Sequence, residues 1–320
     1  MKKNKALVTG GAGFIGSNLV KQLLTEGYSV NVLDNFSTGY RTNLDLLSPL
    51  SIFDGDVRDQ KIVEKAIKNA DVIFHLAASV GNKRSIDSPI TDAEINVLGT
   101  LNVLEAAKKE GIKKIVTSSS AGIFGELKTI PIKEDHPVEP DTPYGCTKLC
   151  EEKLCLSYAK LYGIEAICLR YFNVYGQNQR FDAYGNVIPI FVHRMLRDEP
   201  LIIFGDGEQT RDFVHVSDVV QANIKAAEAC GINGAFNIAS GESITINRLV
   251  EIIVKGRADT VRIEYAPKRK GDVHDSLADI TLAGREFNYS PEMDLEKGIE
   301  EYIVWAEKNS TTDNKQTVNR

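Results

Sequence analysis

The first half of the chain alternates short apolar runs with longer stretches in which apolar residues recur every three to four positions. The runs predict strands and the periodic stretches predict helices, because side chains alternate in a strand and repeat about every 3.6 residues in a helix. Strands are predicted at 5–9, 29–34, 52–56, 71–77, 114–119 and 165–172, and helices at 17–26, 59–68, 92–109 and 143–162. Repeated strand–helix units predict an α/β fold with a doubly wound parallel sheet.

Beyond Asn173 the loops are longer and the elements shorter. The pattern predicts helices at 187–196, 246–254 and 293–308, strands at 235–238 and 261–265, and a polar turn at 205–210. We expect residues 1–172 with about 212–242 to form the doubly wound domain. About 173–211 with 243–308 would then form a smaller α/β domain. The segment 309–320 lacks apolar periodicity, and we expect a disordered tail there.

The composition is that of an ordinary globular protein and excludes several partners. The 320 residues are 42% hydrophobic and 26% charged, with a formal net charge of −6. No basic block offers a surface for nucleic acid, and no apolar run approaches the ~20 residues of a membrane helix. The five cysteines show no CxxC spacing, and His75 and His215 have no partner at metal-ligand spacing. We therefore expect reduced thiols, a cytoplasmic protein and no metal site.

A glycine-rich segment, TGGAGFIG at 9–16, lies between the first strand and the first helix. Glycines at 10, 13 and 16 let the backbone approach a pyrophosphate, whose charge the helix N-terminus stabilises. Asp34 ends the second strand, where a carboxylate accepts hydrogen bonds from the adenine-ribose hydroxyls and repels a 2′-phosphate. The pattern predicts NAD rather than NADP as cofactor, with Asp56 and Val57 bordering the adenine.

Tyr144 and Lys148 lie four residues apart at the start of a helix, so they share a face. An ammonium beside a phenol favours the phenolate, and the spacing predicts a lowered pKa for Tyr144. Such a pair is most often only an exposed helix face. Ser120, however, ends a strand upstream, and ligands bind beyond the carboxyl ends of strands in a doubly wound sheet. The three residues together predict a proton-handling set that faces a hydride-accepting cofactor.

These motifs resemble those of the extended short-chain dehydrogenase/reductases. The resemblance rests on GGAGFIG at 10–16 with Asp34, HLAA at 75–78, SSSAGIFGE at 118–126, PYGCTK at 143–148 and LRYFNVYG at 169–176. Within that family the chain is most similar to NAD-dependent UDP-sugar 4-epimerases, from about residue 5 to 305. The resemblance implies a Rossmann-type domain with a smaller substrate-binding domain, a UDP-sugar substrate, and a homodimer formed through helices 92–109 and 143–162.

The resemblance also implies a reaction scheme. A hydride leaves C4 of the sugar for the nicotinamide while Tyr144 removes the 4-hydroxyl proton. Ser120 would align or relay that proton, and Lys148 would bind the nicotinamide ribose and hold Tyr144 ionised. The transient 4-keto sugar would then turn and take the hydride back on its other face.

The family motifs carry over to further contacts. The implied NAD contacts are Gly10, Gly13, Phe14, Ile15, Gly16, Asp34, Asn35, Thr38, Gly39, Asp56, Val57, Leu76, Ala77, Ala78, Asn96, Ser118, Tyr144, Lys148, Tyr171 and Phe172. The implied nucleotide-sugar contacts are Val80, Lys83, Ser120, Asn173, Asn186, Val187, Phe204, Arg211, Arg269, Asp272 and Ser276. Arg211 and Arg269 would hold the diphosphate through forked guanidinium hydrogen bonds, and Asp272 would hold the ribose.

Ser276 bears on the choice of sugar. Many family members confined to glucose and galactose carry a large tyrosine at the matching position, and a small residue leaves room for a 2-N-acetyl group. The resemblance therefore implies UDP-GlcNAc/UDP-GalNAc as substrates, with UDP-Glc/UDP-Gal as a second pair. Asp275 adds an acid near the expected pocket, which disfavours a uronic acid.

Several other activities are alternatives to a 4-epimerase. Family 4,6-dehydratases and decarboxylases place an acidic residue directly after the strand-end hydroxyl residue, whereas Ala121 and Gly122 follow Ser120 here. A net reductase would use NADPH, which Asp34 disfavours. UDP-glucuronate 4-epimerase stays as an alternative. A non-enzymatic NAD-sensing protein would have no need of Ser120, Tyr144 and Lys148 together.

Overall fold

A parallel sheet with helices on both faces forms the centre of the computed structural model, which describes residues 4–45, 47–181, 186–257, 261–268 and 274–316. In chain order the strands are β1 (Lys5–Thr9), β2 (Ser29–Asp34), β3 (Leu50–Asp54), β4 (Val72–His75), β5 (Lys114–Ser120), β6 (Glu165–Tyr171), β7 (Asn173–Tyr175), β8 (Leu201–Phe204), β9 (Thr210–Arg211), β10 (Phe213–His215), β11 (Gly234–Ile238), β12 (Ile244–Thr245) and β13 (Ile263–Ala266). The helices are α1 (Phe14–Thr25), α2 (Gln60–Ala66), α3 (Asn82–Asp87), α4 (Pro89–Ala93), α5 (Gly99–Glu110), α6 (Pro143–Tyr162), α7 (Val187–Leu196), α8 (Val216–Glu228), α9 (Ile246–Ile253), α10 (Thr281–Phe287) and α11 (Leu295–Gln316).

Seven strands form the central sheet in the order β3-β2-β1-β4-β5-β6-β11, and each neighbouring pair is parallel. The chain moves outward from β1 in one direction through β2 and β3, and in the other through β4, β5 and β6. The order therefore reverses between β1 and β4, where such sheets open a crevice beyond the carboxyl ends of their strands. The predicted fold class, a doubly wound sheet of Rossmann type, is confirmed.

Both faces of this sheet are buried, which explains why its strands read as nearly continuous apolar runs. Ala6, Leu7 and Val8 of β1 are all fully buried. Ala6 and Val8 belong to the core that includes α1 and α8, whereas Leu7 packs with α2, α5 and α6 on the opposite face. The alternation within one strand thus anchors helices on both sides.

A third apolar core joins α7, α9 and α11 to β8. Beside it, β8 pairs in parallel with β13, and β9 pairs antiparallel with β12. These are the elements that the predicted smaller domain would comprise, and the exact domain boundaries stay a prediction. Across the described ranges, none of the helices combines the length and apolar character that a membrane crossing requires.

Two predicted elements differ in the structure. The helix predicted at 92–109 is divided into α4, a π-helical turn at Glu94–Leu98, and α5. The tail predicted as disordered from residue 309 is wrong as far as Gln316, because α11 continues to that residue. No glycine or proline interrupts 309–316, and extending a formed helix costs far less than nucleating one. Short strands such as β9 and β12 were not predicted, since two residues show no period.

Candidate active site

A cleft of about 1250 Å³ opens beyond the carboxyl ends of β1, β2, β4, β5 and β6. It brings together most of the residues predicted as contacts. These are Gly10, Gly13, Phe14, Ile15, Gly16, Asp34, Asn35, Thr38, Asp56, Val57, Leu76, Ala77, Ala78, Val80, Lys83, Ser118, Ser120, Tyr144, Lys148, Tyr171, Phe172, Asn173, Asn186, Arg211 and Ser276. Residues far apart in sequence therefore meet at the switch point of the sheet.

Four predicted contacts do not reach the cleft wall among the described residues: Gly39, Asn96, Val187 and Phe204. Val187 packs into the third core, and Phe204 ends β8. A Cβ on Gly39 would lie 2.7 Å from the backbone of Ala12, so this glycine packs behind the glycine-rich turn. Their contact with a bound ligand stays a prediction. Arg269 and Asp272 lie outside the described residues.

Asn96 supports the cleft from behind. Its buried amide oxygen accepts the backbone N–H of Ser79 at 2.7 Å, and its amide nitrogen donates to the Thr147 hydroxyl at 3.0 Å. It therefore ties the loop after β4 to α6. The π-helical turn supplies this position, a wider turn of the kind often found at functional sites.

The glycine-rich turn is shaped for close approach of a phosphate. Gly10 has a φ of +69°, and a Cβ there would lie 2.7 Å from the backbone nitrogen of Ala77. A Cβ on Gly16 would lie 2.1 Å from the Gly10 carbonyl oxygen. The first turn of α1 carries no acidic residue. No carboxylate of that turn therefore competes with a phosphate for its N–H groups and for the positive end of the helix dipole. These features fit the diphosphate of NAD.

Asp34 closes the nucleotide end of the cleft. Its carboxylate accepts the backbone N–H groups of Ala12 at 2.9 Å and Phe36 at 2.8 Å. Burial raises the pKa of Asp34, and these two hydrogen bonds oppose the rise. A carboxylate has about four acceptor positions, so it retains capacity for the ribose hydroxyls of NAD.

Asp56, the predicted neighbour of the adenine, is a negatively charged residue of the cleft wall. Arg58 and Asn35 donate hydrogen bonds to it at 2.8 to 2.9 Å. The Arg58 hydrogen bond, despite partial burial, lowers the pKa of Asp56 to about 2. The carboxylate is therefore ionised throughout the neutral pH range and is held at the cleft wall.

The start of α6 places Tyr144 beside Ser120. Thr142 caps the helix by accepting the backbone N–H of Gly145 at 3.2 Å. A Cβ on Gly145 would lie 2.4 Å from the carbonyl oxygen of Gly122, so only glycine lets this turn approach the segment after β5. Tyr144 and Ser120 both line the cleft, and Ser120 lies near enough to the phenol to favour its ionised form. The Gly122 N–H donates to the same serine oxygen at 3.1 Å.

The predicted lowering of the Tyr144 pKa is wrong for the protein by itself. Burial raises the pKa of Tyr144, and the lowering effects of Lys148 and the Ser120 hydrogen bond do not outweigh it. The sequence argument counted the ammonium but could not count the loss of water around the phenol.

Lys148 is not a lone cation. Its Nζ donates to Glu151 Oε2 at 2.5 Å and to Ser118 Oγ at 3.3 Å, and the Lys148 side chain is 1% exposed. Burial by itself would lower the pKa of Lys148, but the charges of Glu151 and Tyr144 reverse the direction and raise it. The sequence analysis missed Glu151, although its i,i+3 spacing from Lys148 was a usable signal.

His75 is a packed imidazole rather than a base. Its two ring nitrogens lie 2.7 Å from Thr9 Oγ1 and 3.0 Å from Thr100 Oγ1. Burial, with a smaller contribution from Lys148, lowers its pKa to about 3, so it stays neutral. This agrees with the structural role that the sequence favoured.

Basic side chains line part of the cleft. Arg211 and Lys83 are on its wall, and Arg84 and Arg180 are as well.

Asp275 is not itself on the described wall, but the next residue, Ser276, is. Asp275 accepts hydrogen bonds from His274 at 2.9 Å and from Thr210 at 3.0 Å. These hydrogen bonds, with a smaller contribution from the charge of Arg211, lower the pKa of Asp275. The acid therefore lies close to the cleft, and its effect on a uronic acid stays a prediction.

Other residues of the cleft wall gave no sequence signal of their own. Among them are Tyr40, Asn43, Asn82, Gln179, Arg180 and Ile190. They come from loops, from the start of α3 and from α7, and only the folded chain brings them to the cleft.

The sheet order and the cleft together define an enzyme of the dinucleotide-dependent, short-chain dehydrogenase/reductase class. Residues 6–239 match the model of the NAD dependent epimerase/dehydratase family, and the chain belongs to that family. NAD is accordingly its cofactor, as predicted, and the turn around Gly10 and Gly16 fits that group. When bound, NAD supplies a hydride acceptor and donor.

The chain is similar to curated and solved proteins over nearly its whole length. It is 41% identical over 309 residues to a putative UDP-glucose 4-epimerase of Methanocaldococcus jannaschii, covering 96% of this chain and 99% of the relative. It superposes on a UDP-N-acetylglucosamine 4-epimerase of Methanobrevibacter ruminantium in complex with UDP-N-acetylmuramic acid, with a TM-score of 0.92, 37% identity, and coverage of 97% and 100%. For a Thermotoga maritima UDP-glucose 4-epimerase with UDP-glucose, the TM-score is 0.91, the identity 37%, and the coverage 96% and 99%.

Relatives with other names are nearly as similar. A UDP-N-acetyl-alpha-D-glucosaminuronate decarboxylase of Bacillus cytotoxicus is 34% identical, covering 95% of this chain and 98% of the relative. A UDP-glucuronate 4-epimerase of Thermodesulfobacterium geofontis is 33% identical, covering 95% and 96%. The prediction of an NAD-dependent isomerase is confirmed by the epimerases, whereas the identity of the sugar is a separate question.

Proposed function

We propose that this protein is a UDP-sugar 4-epimerase that interconverts UDP-GlcNAc and UDP-GalNAc, and also UDP-Glc and UDP-Gal. The observation that carries the proposal is that Tyr144, Ser120 and Lys148 lie on the wall of the same cleft as the glycine-rich turn. A proton-handling set therefore shares one cleft with a dinucleotide site and with Arg211, a side chain suited to a nucleotide diphosphate.

The side chains divide the work of moving one proton. Tyr144, as the phenolate, accepts the proton of the sugar 4-hydroxyl as the C4–H hydride departs, and the resulting phenol returns it when the 4-keto sugar is reduced on its other face. Ser120, beside the phenol, aligns it or relays its proton. Lys148 places a positive charge beside Tyr144 and so favours the phenolate, the form that can accept the proton. General acid–base assistance of this kind contributes about 10²–10⁴-fold, and positioning supplies the remainder.

The segment after β5 favours an epimerase over a 4,6-dehydratase. Ser120 is followed by a single 3₁₀ turn at Ala121–Ile123, and the Gly122 backbone is hydrogen-bonded to the serine. A dehydratase must move a second proton, and this turn offers no carboxyl group for that step. The same argument disfavours a decarboxylase.

One experiment separates the candidate activities. Purified protein is incubated with UDP-GlcNAc, UDP-Glc and UDP-GlcA in parallel, and the products are identified by NMR. The proposal expects a 4-epimer from the acetylated pair. A dehydrated or decarboxylated sugar, or no product from any substrate, would contradict the proposed epimerase.

Ser276 provides a test of sugar choice. It lines the cleft, and its backbone N–H donates to Thr210 Oγ1 at 3.4 Å. Replacement of Ser276 by tyrosine fills space that a 2-N-acetyl group needs. We expect kcat/KM for UDP-GlcNAc to fall about 10- to 200-fold, the range for a steric mismatch in a binding pocket. The rate with UDP-Glc serves as the control, and an equal loss for both sugars would remove the specificity argument.

A UDP-glucuronate 4-epimerase is the second candidate. Lys83, Arg84 and Arg180 line the cleft, and guanidinium groups suit a carboxylate. The relative of that name from Thermodesulfobacterium geofontis supports it. A product from UDP-GlcA with none from UDP-GlcNAc would favour this candidate over the leading one.

We infer a homodimer from apolar side chains that stay exposed on neighbouring helices. Ile86 of α3 is 60% exposed, Ile90 of α4 is 75% exposed, and Leu161 of α6 is 70% exposed. Large apolar side chains exposed in this way are more typical of an interface than of a free surface. Light scattering should give about twice the 35.3 kDa of one chain. Ile90→Asp should shift the mass toward one chain, and a single-chain mass for the parent would refute the dimer.

We also place the enzyme in the cytoplasm. All five cysteines are free, and two of them, Cys155 and Cys168, are buried in the core. Unpaired thiols of this number are typical of a reducing compartment.

A further inference from the structure

A buried carboxylate, Glu151, lies beside the Tyr144–Lys148 pair. Burial raises the pKa of Glu151, and the Lys148 ammonium and the Thr117 hydrogen bond oppose that rise. Glu151 Oε2 lies 2.5 Å from Lys148 Nζ, and Glu151 Oε1 accepts the Thr117 hydroxyl at 2.5 Å from the neighbouring strand β5. The side chains of Glu151 and Lys148 are each 1% exposed. Both carboxylate oxygens therefore have a partner, and the pair is shielded from water and salt.

The other titratable groups near Lys148 and Tyr144 are neutral, paired elsewhere or more remote, so Glu151 is the principal counter-charge of Lys148. His75 on β4 is neutral, for the reasons given above. Glu152 on α6 is turned to Arg170, which donates to it at 2.8 and 3.0 Å. Asp92 on α4 accepts hydrogen bonds from Thr147 and Asn96 and adds a more remote negative charge on the phenol. Cys155 packs on the same side of α6.

We propose that Glu151 is a positioning residue of the active site: it anchors the Lys148 ammonium against Ser118 and offsets part of the positive charge that Lys148 presents to Tyr144. This inference rests on the proposed function and deepens it. With the carboxylate in place, the pair keeps its protons to higher pH. Ionisation of the phenol then depends more strongly on the positive charge of the oxidised cofactor.

The direction of the effect follows from electrostatics. Removing a negative charge lowers the pKa of every group coupled to it, whichever member of the pair loses its proton first. Like and unlike charges within about 4–6 Å shift a pKa by about 1–3 units, and burial weakens screening. Glu151→Gln keeps the size of the side chain and removes its charge. The amide oxygen can still accept from Lys148, and the amide nitrogen can donate to the Thr117 hydroxyl in place of accepting from it.

The test is a pH titration of tyrosinate absorbance on the purified holoenzyme. Subtracting the titration of a matched Tyr144→Phe variant isolates Tyr144 from the other tyrosines of the chain. We expect Glu151→Gln to lower the Tyr144 midpoint by about 1 unit, with the acid limb of the kcat/KM profile moving equally. The control Glu64→Gln makes the same charge change at an exposed site that bonds Lys109, and should leave the midpoint in place.

The outcomes separate this inference from the proposed function. A Tyr144 midpoint that is unchanged or raised in Glu151→Gln overturns the role of Glu151, whatever the activity. Absence of epimerisation with every sugar overturns the proposed function, while the absorbance titration still decides on Glu151. If the glutamine variant fails to fold, Glu151→Met replaces it, because methionine is of similar size and also uncharged. The same titration is then expected to show the same downward shift of the Tyr144 midpoint.

Discussion

Replacement of Tyr144 by phenylalanine is expected to lower kcat about 10²- to 10⁴-fold with the preferred UDP-sugar. The substitution removes the oxygen that would accept the 4-hydroxyl proton, while the ring stays beside Gly122. Because the reaction needs the proton removed as the hydride leaves, kcat should fall far more than KM changes. Steady-state kinetics on purified protein, with product detection by NMR, make the measurement.

A matched control lies on the same helix. Tyr158 of α6 donates its hydroxyl to Glu105, away from the cleft, so Tyr158→Phe should keep the parent rate. Circular dichroism of both variants checks that the fold is intact. Sugar interconversion by Tyr144→Phe at the parent rate would show that the phenol is not the proton acceptor, and the proposed mechanism would have to be abandoned.

Replacement of Glu152 by alanine should produce the largest loss of stability. Its carboxylate accepts two hydrogen bonds from Arg170 and one from Ser119 at 2.9 Å, and Glu152 and Arg170 are 0% and 4% exposed. The substitution would leave Arg170 as an uncompensated buried cation. Loss of one partner of a buried ion pair costs about 3–5 kcal/mol. Urea unfolding followed by two spectroscopic probes measures the change in the free energy of unfolding.

The control for this experiment is the neighbouring residue. Lys153 lies 3.6 Å from Glu152 but is 59% exposed, so Lys153→Ala should cost little, as exposed ion pairs contribute about 0–1 kcal/mol. If the free energy of unfolding of Glu152→Ala lies within about 1 kcal/mol of the parent value, Arg170 has found another partner or water in the variant. That result would contradict the expectation that Glu152 is the necessary counter-charge of Arg170.

Local patterns predicted most of the sheet and the cofactor end of the cleft. The span of β1, the end of β2 at Asp34, and the full extent of α6 follow from apolar runs, caps and turn residues, which act over a few positions. Gly10 and Gly16 were placed correctly because a strand–glycine–helix turn has one geometry that serves a phosphate. These interactions join residues that are close together in sequence, and local sequence patterns therefore predict them.

Other features needed contacts between distant segments. Asn96, in the π-helical turn, forms hydrogen bonds with Ser79 and Thr147. Hydrophobic periodicity does not predict these partners. Asp275 accepts a hydrogen bond from Thr210, which lies 65 residues away in sequence and which no local pattern indicates. The direction of the Tyr144 pKa was also mistaken, since burial of the phenol is a property of the assembled site.

The sequence by itself determined the fold class and the cofactor, and it predicted the proton-handling residues, because each depends on spacing along one turn, one strand end or one helix face. Only the tertiary structure decided the electrostatic surroundings of these residues. Lys148 is paired with Glu151, and the basic side chains Lys83, Arg84 and Arg180 come to the wall of the same cleft. The physical reason is that charge and solvation act through space, so they depend on every segment that the fold brings within a few ångströms.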